Sequence, residues 1–208
     1  MSDTKNRQDL ILEFWFHDLS DSVVLDKNSP TVRQWFVKDP RIDSEIREKF
    51  ELDLRKAGKG EYSSWEVEVR GRLALILLYD QFSRNMYRDT PKMFATDPLA
   101  LGLTLRTIAE KRDGQIQLVE RLFFYMPLMH SEVMERQKFS VECFTDLVRE
   151  SKHKSPRNSP YYEYTLDFAK RHHAIVEQFG RFPHRNLILN RPSTPEELEF
   201  LKRPSSKF

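Results

Sequence analysis

The 208-residue sequence contains one cysteine, Cys143, so it can form no internal disulfide and build no four-cysteine metal site. Glycine is scarce, at 6 residues, and neither a glycine-rich phosphate loop nor a Gly-x-Ser-x-Gly elbow occurs. No sign of charge dominates. Lys+Arg total 34 against 32 Asp+Glu, a net charge of +2, which leaves no broad field to condense on nucleic acid or anionic lipid. Long apolar runs are missing too: the longest, Leu73 to Tyr79, falls far short of the ~20 residues a membrane helix needs. The opening stretch, MSDTKNRQDL, lacks the apolar core and cleavage site of a signal peptide. These absences point to a cytoplasmic protein without a nucleic-acid or membrane partner.

What is present is helical periodicity. With 39% hydrophobic, 12% aromatic and 32% charged residues, the chain can build one core, and residues 1–208 are read as a single domain. Leu10, Ile11, Phe14 and Trp15 predict a first helix over roughly 5 to 18. Ser29-Pro30 offers a cap and a first-turn proline for a short helix carrying Trp35 and Phe36. Ile42, Ile46, Phe50 and Leu54 are spaced by four, and Gly58 and Gly60 close that helix. Ser63 and Glu66 have capping-box spacing for the next helix, which is apolar on nearly every face from Leu73 to Leu78 and so reads as the buried centre. Further helices are expected from Asp97 to about Lys111, and from Ile116 to a break at Met126-Pro127. Another should start at a Ser131 cap, with a surface loop over Lys152–Pro160. The last two run from Tyr161 to Gly180, and onward from the capping box of Thr194 and Glu197. No alternating strand is visible. The expectation is an all-α fold of seven to nine helices in antiparallel hairpins, arranged as a compact bundle or a right-handed superhelix.

Three segments set polar groups against apolar neighbours. Asp80, Gln81, Arg84 and Asn85 follow the apolar run directly, and Asp80 and Arg84 share a helix face. His130 and Glu132 lie where a helix should begin. The third segment carries His172 and then Arg181, His184, Arg185 and Asn186 around Gly180 and Pro183. Two guanidiniums and an imidazole on a stiff turn suit a carboxylate or phosphate, because arginine offers planar paired donors. Each segment also has a plain structural reading, as a buried ion pair, a helix cap or a neutralised basic turn. A metal site from His130, Glu132, His172 and His184 would need three segments to converge, and neither a metal nor another cofactor is expected. Cys143, beside Phe144 on an amphipathic helix, reads as core.

The chain resembles the uncharacterised bacterial family known as domain of unknown function 924. The likeness runs from Ile11-Leu12-Glu13-Phe14-Trp15-Phe16 through LALILLYDQFSRN, FATDPLAL, FFYMPLMHSE and HHAIVEQFGRFPHRN to STPEELEFL. It implies an all-α, tetratricopeptide-like superhelix and no established activity. It also implies that Asp80, Gln81, Arg84, Asn85, His130, Glu132, His172, Gly180, Arg181, His184, Arg185 and Asn186 are the polar positions of interest. Ser83 and His173 depart from the family pattern, which has proline and arginine there.

The leading expectation is a helical binding protein whose Arg/His/Asp pocket holds a small anionic ligand or an acidic peptide group. The residues assigned to it are Asp80, Gln81, Arg84, Asn85, His130, Glu132, His172, Arg181, His184, Arg185 and Asn186. An enzyme using His130 or His184 as general acid/base, with arginine stabilising charge, is the first alternative. A scaffold using a superhelical groove for a partner helix is the second. The three segments are expected to meet, with Asp80 or Glu132 within ion-pair reach of Arg181 or Arg185.

Overall fold

Asn6 precedes a stretch whose apolar residues recur at helical spacing, and the first helix of the computed structural model, α1 (Arg7–Phe16), buries Ile11, Leu12, Trp15 and Phe16. The structure describes residues 6–204 and 206, and every regular element among them is helical. The expected start of α1 at Lys5 lies outside the described residues. Its end falls short of 18 because His17 turns the chain at φ 49°.

α2 (Pro30–Phe36) starts as its residues dictate, with the Ser29 hydroxyl accepting from the Val32 N–H. α3 (Pro40–Gly58) is capped by Asp39 and turns its Ile46, Phe50 and Leu54 inward; the chain then leaves through Gly60 at φ 78°. Ser63 and Glu66 do not form the expected capping box. They sit in a short 3-10 turn (Ser63–Val67), and Glu66 pairs instead with Arg106 at 2.6 Å. This turn is pressed onto the next helix at Gly71, where any Cβ would lie 2.2 Å from the Trp65 carbonyl oxygen.

α4 (Val69–Ile76) runs directly into a wide turn (Leu77–Phe82) and then α5 (Ser83–Met86), forming one central rod. Every rod residue from Gly71 to Ser83 is buried, as all-round apolarity requires. The wide turn is π-helical: the Ser83 N–H reaches back five residues to the Leu78 carbonyl. Such a turn frees carbonyls from their usual partners, and side chains take them up. Ser83 Oγ and Thr96 Oγ1 donate to Tyr79 O at 2.7 and 2.6 Å, while Arg84 Nη1 donates to Asp80 O at 2.7 Å.

α6 (Asp97–Ala109) packs against the rod, and so does α7 (Leu118–Met129). α7 begins at a Gln117–Glu120 capping box, later than the expected Ile116, and it runs through Pro127 instead of breaking there. Pro127 forfeits one backbone hydrogen bond, to the Phe123 carbonyl, and burial of all 12 residues holds the helix in spite of it. α8 (Met134–Lys154) and α9 (Ser159–Phe179) form a hairpin beside it. Ser131 does not cap α8; its hydroxyl accepts from Val133 N–H before the helix starts. The expected loop at Lys152–Pro160 contracts to the turn Pro156–Asn158. Buried Asn158 anchors it, donating to Val23 O and accepting from Leu25 N–H, both at 2.8 Å. α9 stops at Gly180, φ 68°, and α10 (Pro195–Leu201) opens with the expected Thr194–Glu197 capping box. Among the described residues no helix is long and apolar enough to cross a membrane.

Candidate functional site

The wide turn of the rod, the C-terminal end of α7, the middle of α9 and the turn Pro183–Arg185 meet at one polar centre. Asp80, 0% exposed, places Oδ1 2.8 Å from His130 Nδ1 and 3.0 Å from Arg84 Nη1. Gln81 donates to the other Asp80 oxygen. Arg84 also forks onto Asp97, at 2.9 and 3.0 Å, from the first turn of α6. Arg185 comes from the far side. Its Nη2 donates to the His130 carbonyl at 2.9 Å, and its Nη1 stands 3.9 Å from Asp97 Oδ2. The Arg185 guanidinium lies 4.6 Å from the ring centres of both Phe94 and Phe182. The His130 and His172 rings are 6.2 Å apart, with His172 edge-on to Phe182 and His184 tilted against the same ring.

Burial and charge act against each other here. Burial alone would raise the Asp80 carboxyl, but Arg84 and His130 more than offset it and hold Asp80 well below the usual carboxylate range. Asp97 goes the other way: burial, helped by the nearby Asp80 charge, raises it despite Arg84. Burial lowers His130 even though Asp80 opposes the shift. His172 falls well below its ordinary value through burial and the neighbouring His130. His184 drops to about 4 through burial and Arg185. Burial, together with repulsion from Arg84, takes Arg185 down to about 10.

The sequence-selected residues therefore divide into two groups. Asp80, Gln81, Arg84, His130, His172, His184 and Arg185 gather at the centre. Asn85 turns away to Asp43, which also holds Arg88. Arg181 forks onto Glu197, and Asn186 donates to the same carboxylate, so both fasten α10. Glu132 accepts from Arg191 at 2.7 and 2.9 Å and from the Phe182 N–H at 2.8 Å. The expected pairing of Asp80 or Glu132 with Arg181 or Arg185 is not made. Closer partners intervene: Arg84 and His130 for Asp80, and Arg191 for Glu132. Sequence reasoning missed Asp97, which reads as an ordinary first-turn acid, and Phe94 and Arg191, which carry no local signal.

Two surface depressions lie elsewhere, of about 360 Å³ beside Gln8 and Gly71 and about 490 Å³ beside Phe179 and Glu196. Among the described residues no group of three or more His, Cys, Asp or Glu is arranged to hold a metal ion. Burial pushes the Cys143 thiol up to about 12, which makes it a poor nucleophile.

Residues 11–205 match a family described as a bacterial protein of unknown function, DUF924. A solved structure of a protein of unknown function, ATU0120 from Agrobacterium tumefaciens, superposes with a TM-score of 0.75 at 34% sequence identity. The alignment covers 94% of this chain and 96% of that one. The curated proteins contain no match.

Proposed function

From the premise that the chain belongs to this bacterial family of unknown function, DUF924, we propose that it binds a small anion through a carboxylate or phosphate group at the Arg185–His130 centre. The observation that supports this reading is the state of Arg185. The residue is 7% exposed, its buried Nε has no hydrogen-bond acceptor, and its nearest carboxylate stands 3.9 Å away. A buried guanidinium with donors unspent is costly, and an anion in the plane of those donors removes the cost. A cytoplasmic setting fits the single buried thiol.

A thermal-shift screen of phosphates, nucleotides, phosphosugars, dicarboxylates and acidic peptides tests the proposal. An anion at a hundredfold excess over Kd stabilises the fold by about 2.7 kcal/mol. That raises Tm by roughly 5–11 °C in a domain of this size. Arg185→Gln should abolish the shift, whereas Arg181→Gln, which loosens α10, should lower the baseline Tm and keep the shift. A screen in which no anion separates wild type from Arg185→Gln ends the proposal.

The Asp80–His130 hydrogen bond favours a second reading, an enzyme in which His130 acts as general base and Asp80 orients it.

A further inference from the structure

The two ring nitrogens of His130 are in different situations. Nδ1 faces the Asp80 carboxylate at 2.8 Å, and Arg84 keeps that carboxylate ionised from 3.0 Å. In neutral His130 the proton therefore sits on Nδ1, as an acceptor on one ring nitrogen dictates. Nε2 carries the lone pair and has no hydrogen-bond partner among the described residues.

The charges facing His130 come from every element packed around it. The rod supplies Asp80 and Arg84, and α6 supplies Asp97. α9 supplies His172, and the turn after it supplies His184 and Arg185. Glu132, on the segment of His130 itself, is matched by Arg191. With the histidines neutral, two arginines balance two aspartates and Glu132 balances Arg191. An anion entering at Arg185 breaks that balance where water is largely excluded, which is costly unless a positive charge appears beside it.

Resting on the anion-binding reading above, we infer that the site takes up a proton together with its anion, and that His130 Nε2 is the atom that receives it. The proton comes from solvent. An N–H bond forms at Nε2, no bond in the anion breaks, and the resulting imidazolium donates to Asp80 from one nitrogen and to the anion from the other. Asp97 is the competing acceptor, but protonating it would remove the charge from the fork it makes with Arg84 and leave chiefly its carbonyl oxygen to accept. Burial keeps His130 below its ordinary value in the empty site, so near neutral pH the ring starts uncharged and has a proton to gain.

Sulfate is the probe, because its charge is constant across the range of interest. Titration calorimetry in two buffers of different protonation enthalpy should show about one proton taken up per sulfate near pH 7, with affinity weakening about tenfold per pH unit above that. His130→Asn keeps a donor for Asp80 and removes Nε2. It should bind sulfate with no proton uptake and a flat pH profile. Sulfate binding by wild type without proton uptake overturns the inference, as does uptake that survives in His130→Asn. A ¹⁵N spectrum of the sulfate-free protein that places the His130 proton on Nε2 overturns it even if sulfate binds. If wild type and Arg185→Gln alike fail to bind sulfate while the spectrum shows the Nδ1–H form, it is the anion-binding reading that fails, and this inference falls with it.

Discussion

The Glu132 carboxylate accepts the Phe182 N–H at 2.8 Å, tying the loop that carries His130 to the turn that carries Arg185. Arg191 clamps the same carboxylate with two nitrogens and also donates to Phe182 O. The spacing between imidazole and guanidinium thus depends on a contact across fifty residues of chain. Glu132→Ala leaves the Phe182 amide without its acceptor and Arg191 without its carboxylate, a loss of about 1–3 kcal/mol in urea unfolding. It should also weaken any anion-induced thermal shift, because the turn is no longer held in place.

Asp80→Asn removes the carboxylate charge that bonds both Arg84 and His130. Removing one partner of a buried ion pair costs about 3–5 kcal/mol. Chemical denaturation should show that loss. A cost under about 1 kcal/mol would mean that Asp97 alone can neutralise Arg84.

Acid should weaken the protein well before its carboxylates are protonated. His130, His172 and His184 all have folded-state values below the ordinary 6.5, with His184 at about 4. The unfolded chain therefore binds more protons as pH falls through 6.5, and stability drops by at most about 1.4 kcal/mol per pH unit for each histidine. The loss continues down to the folded values. Above about pH 4, Asp97, held high, works in the opposite direction as pH falls through its raised value; below about pH 4, Asp80 and Glu132, both held low, add to the loss. Urea midpoints at several pH values should fall from neutral pH to 5, with a shallower slope in His184→Asn.

Leu75 and Leu77 are 1% and 0% exposed in the central rod. Truncating either to alanine should cost about 2–5 kcal/mol. Losses below about 1 kcal/mol at both positions would contradict the burial of this helix.

Gly71→Ala should be far more damaging than its single methyl suggests. The new Cβ would meet the Trp65 carbonyl oxygen at 2.2 Å and Gln8 Oε1 at 2.8 Å, and the first of these is backbone. Separating α4 from the preceding turn should cost about 1–3 kcal/mol or more, visible as a lower Tm with the helical spectrum retained.

Periodicity and caps determined much on their own. The all-helical class, the buried run from Leu73, the Ser29 and Thr194 caps and the stop at Gly180 all follow from interactions within a few residues of chain, and such interactions can be read in one dimension. Tertiary packing decided the rest. Pro127 stays helical because its surroundings bury α7 completely, and Lys152–Pro160 is not a loop because Asn158 bonds to Val23 and Leu25. The gathering of Asp80, His130, His172 and Arg185 was suggested by polar residues beside large apolar ones. Their pairing was not legible: Asp97 took Arg84, Arg191 took Glu132, and Glu197 took Arg181 and Asn186. The sequence lists which charges must be neutralised, but a buried charge pairs with whichever opposite group the packing brings within about 4 Å, and only the folded chain sets that distance.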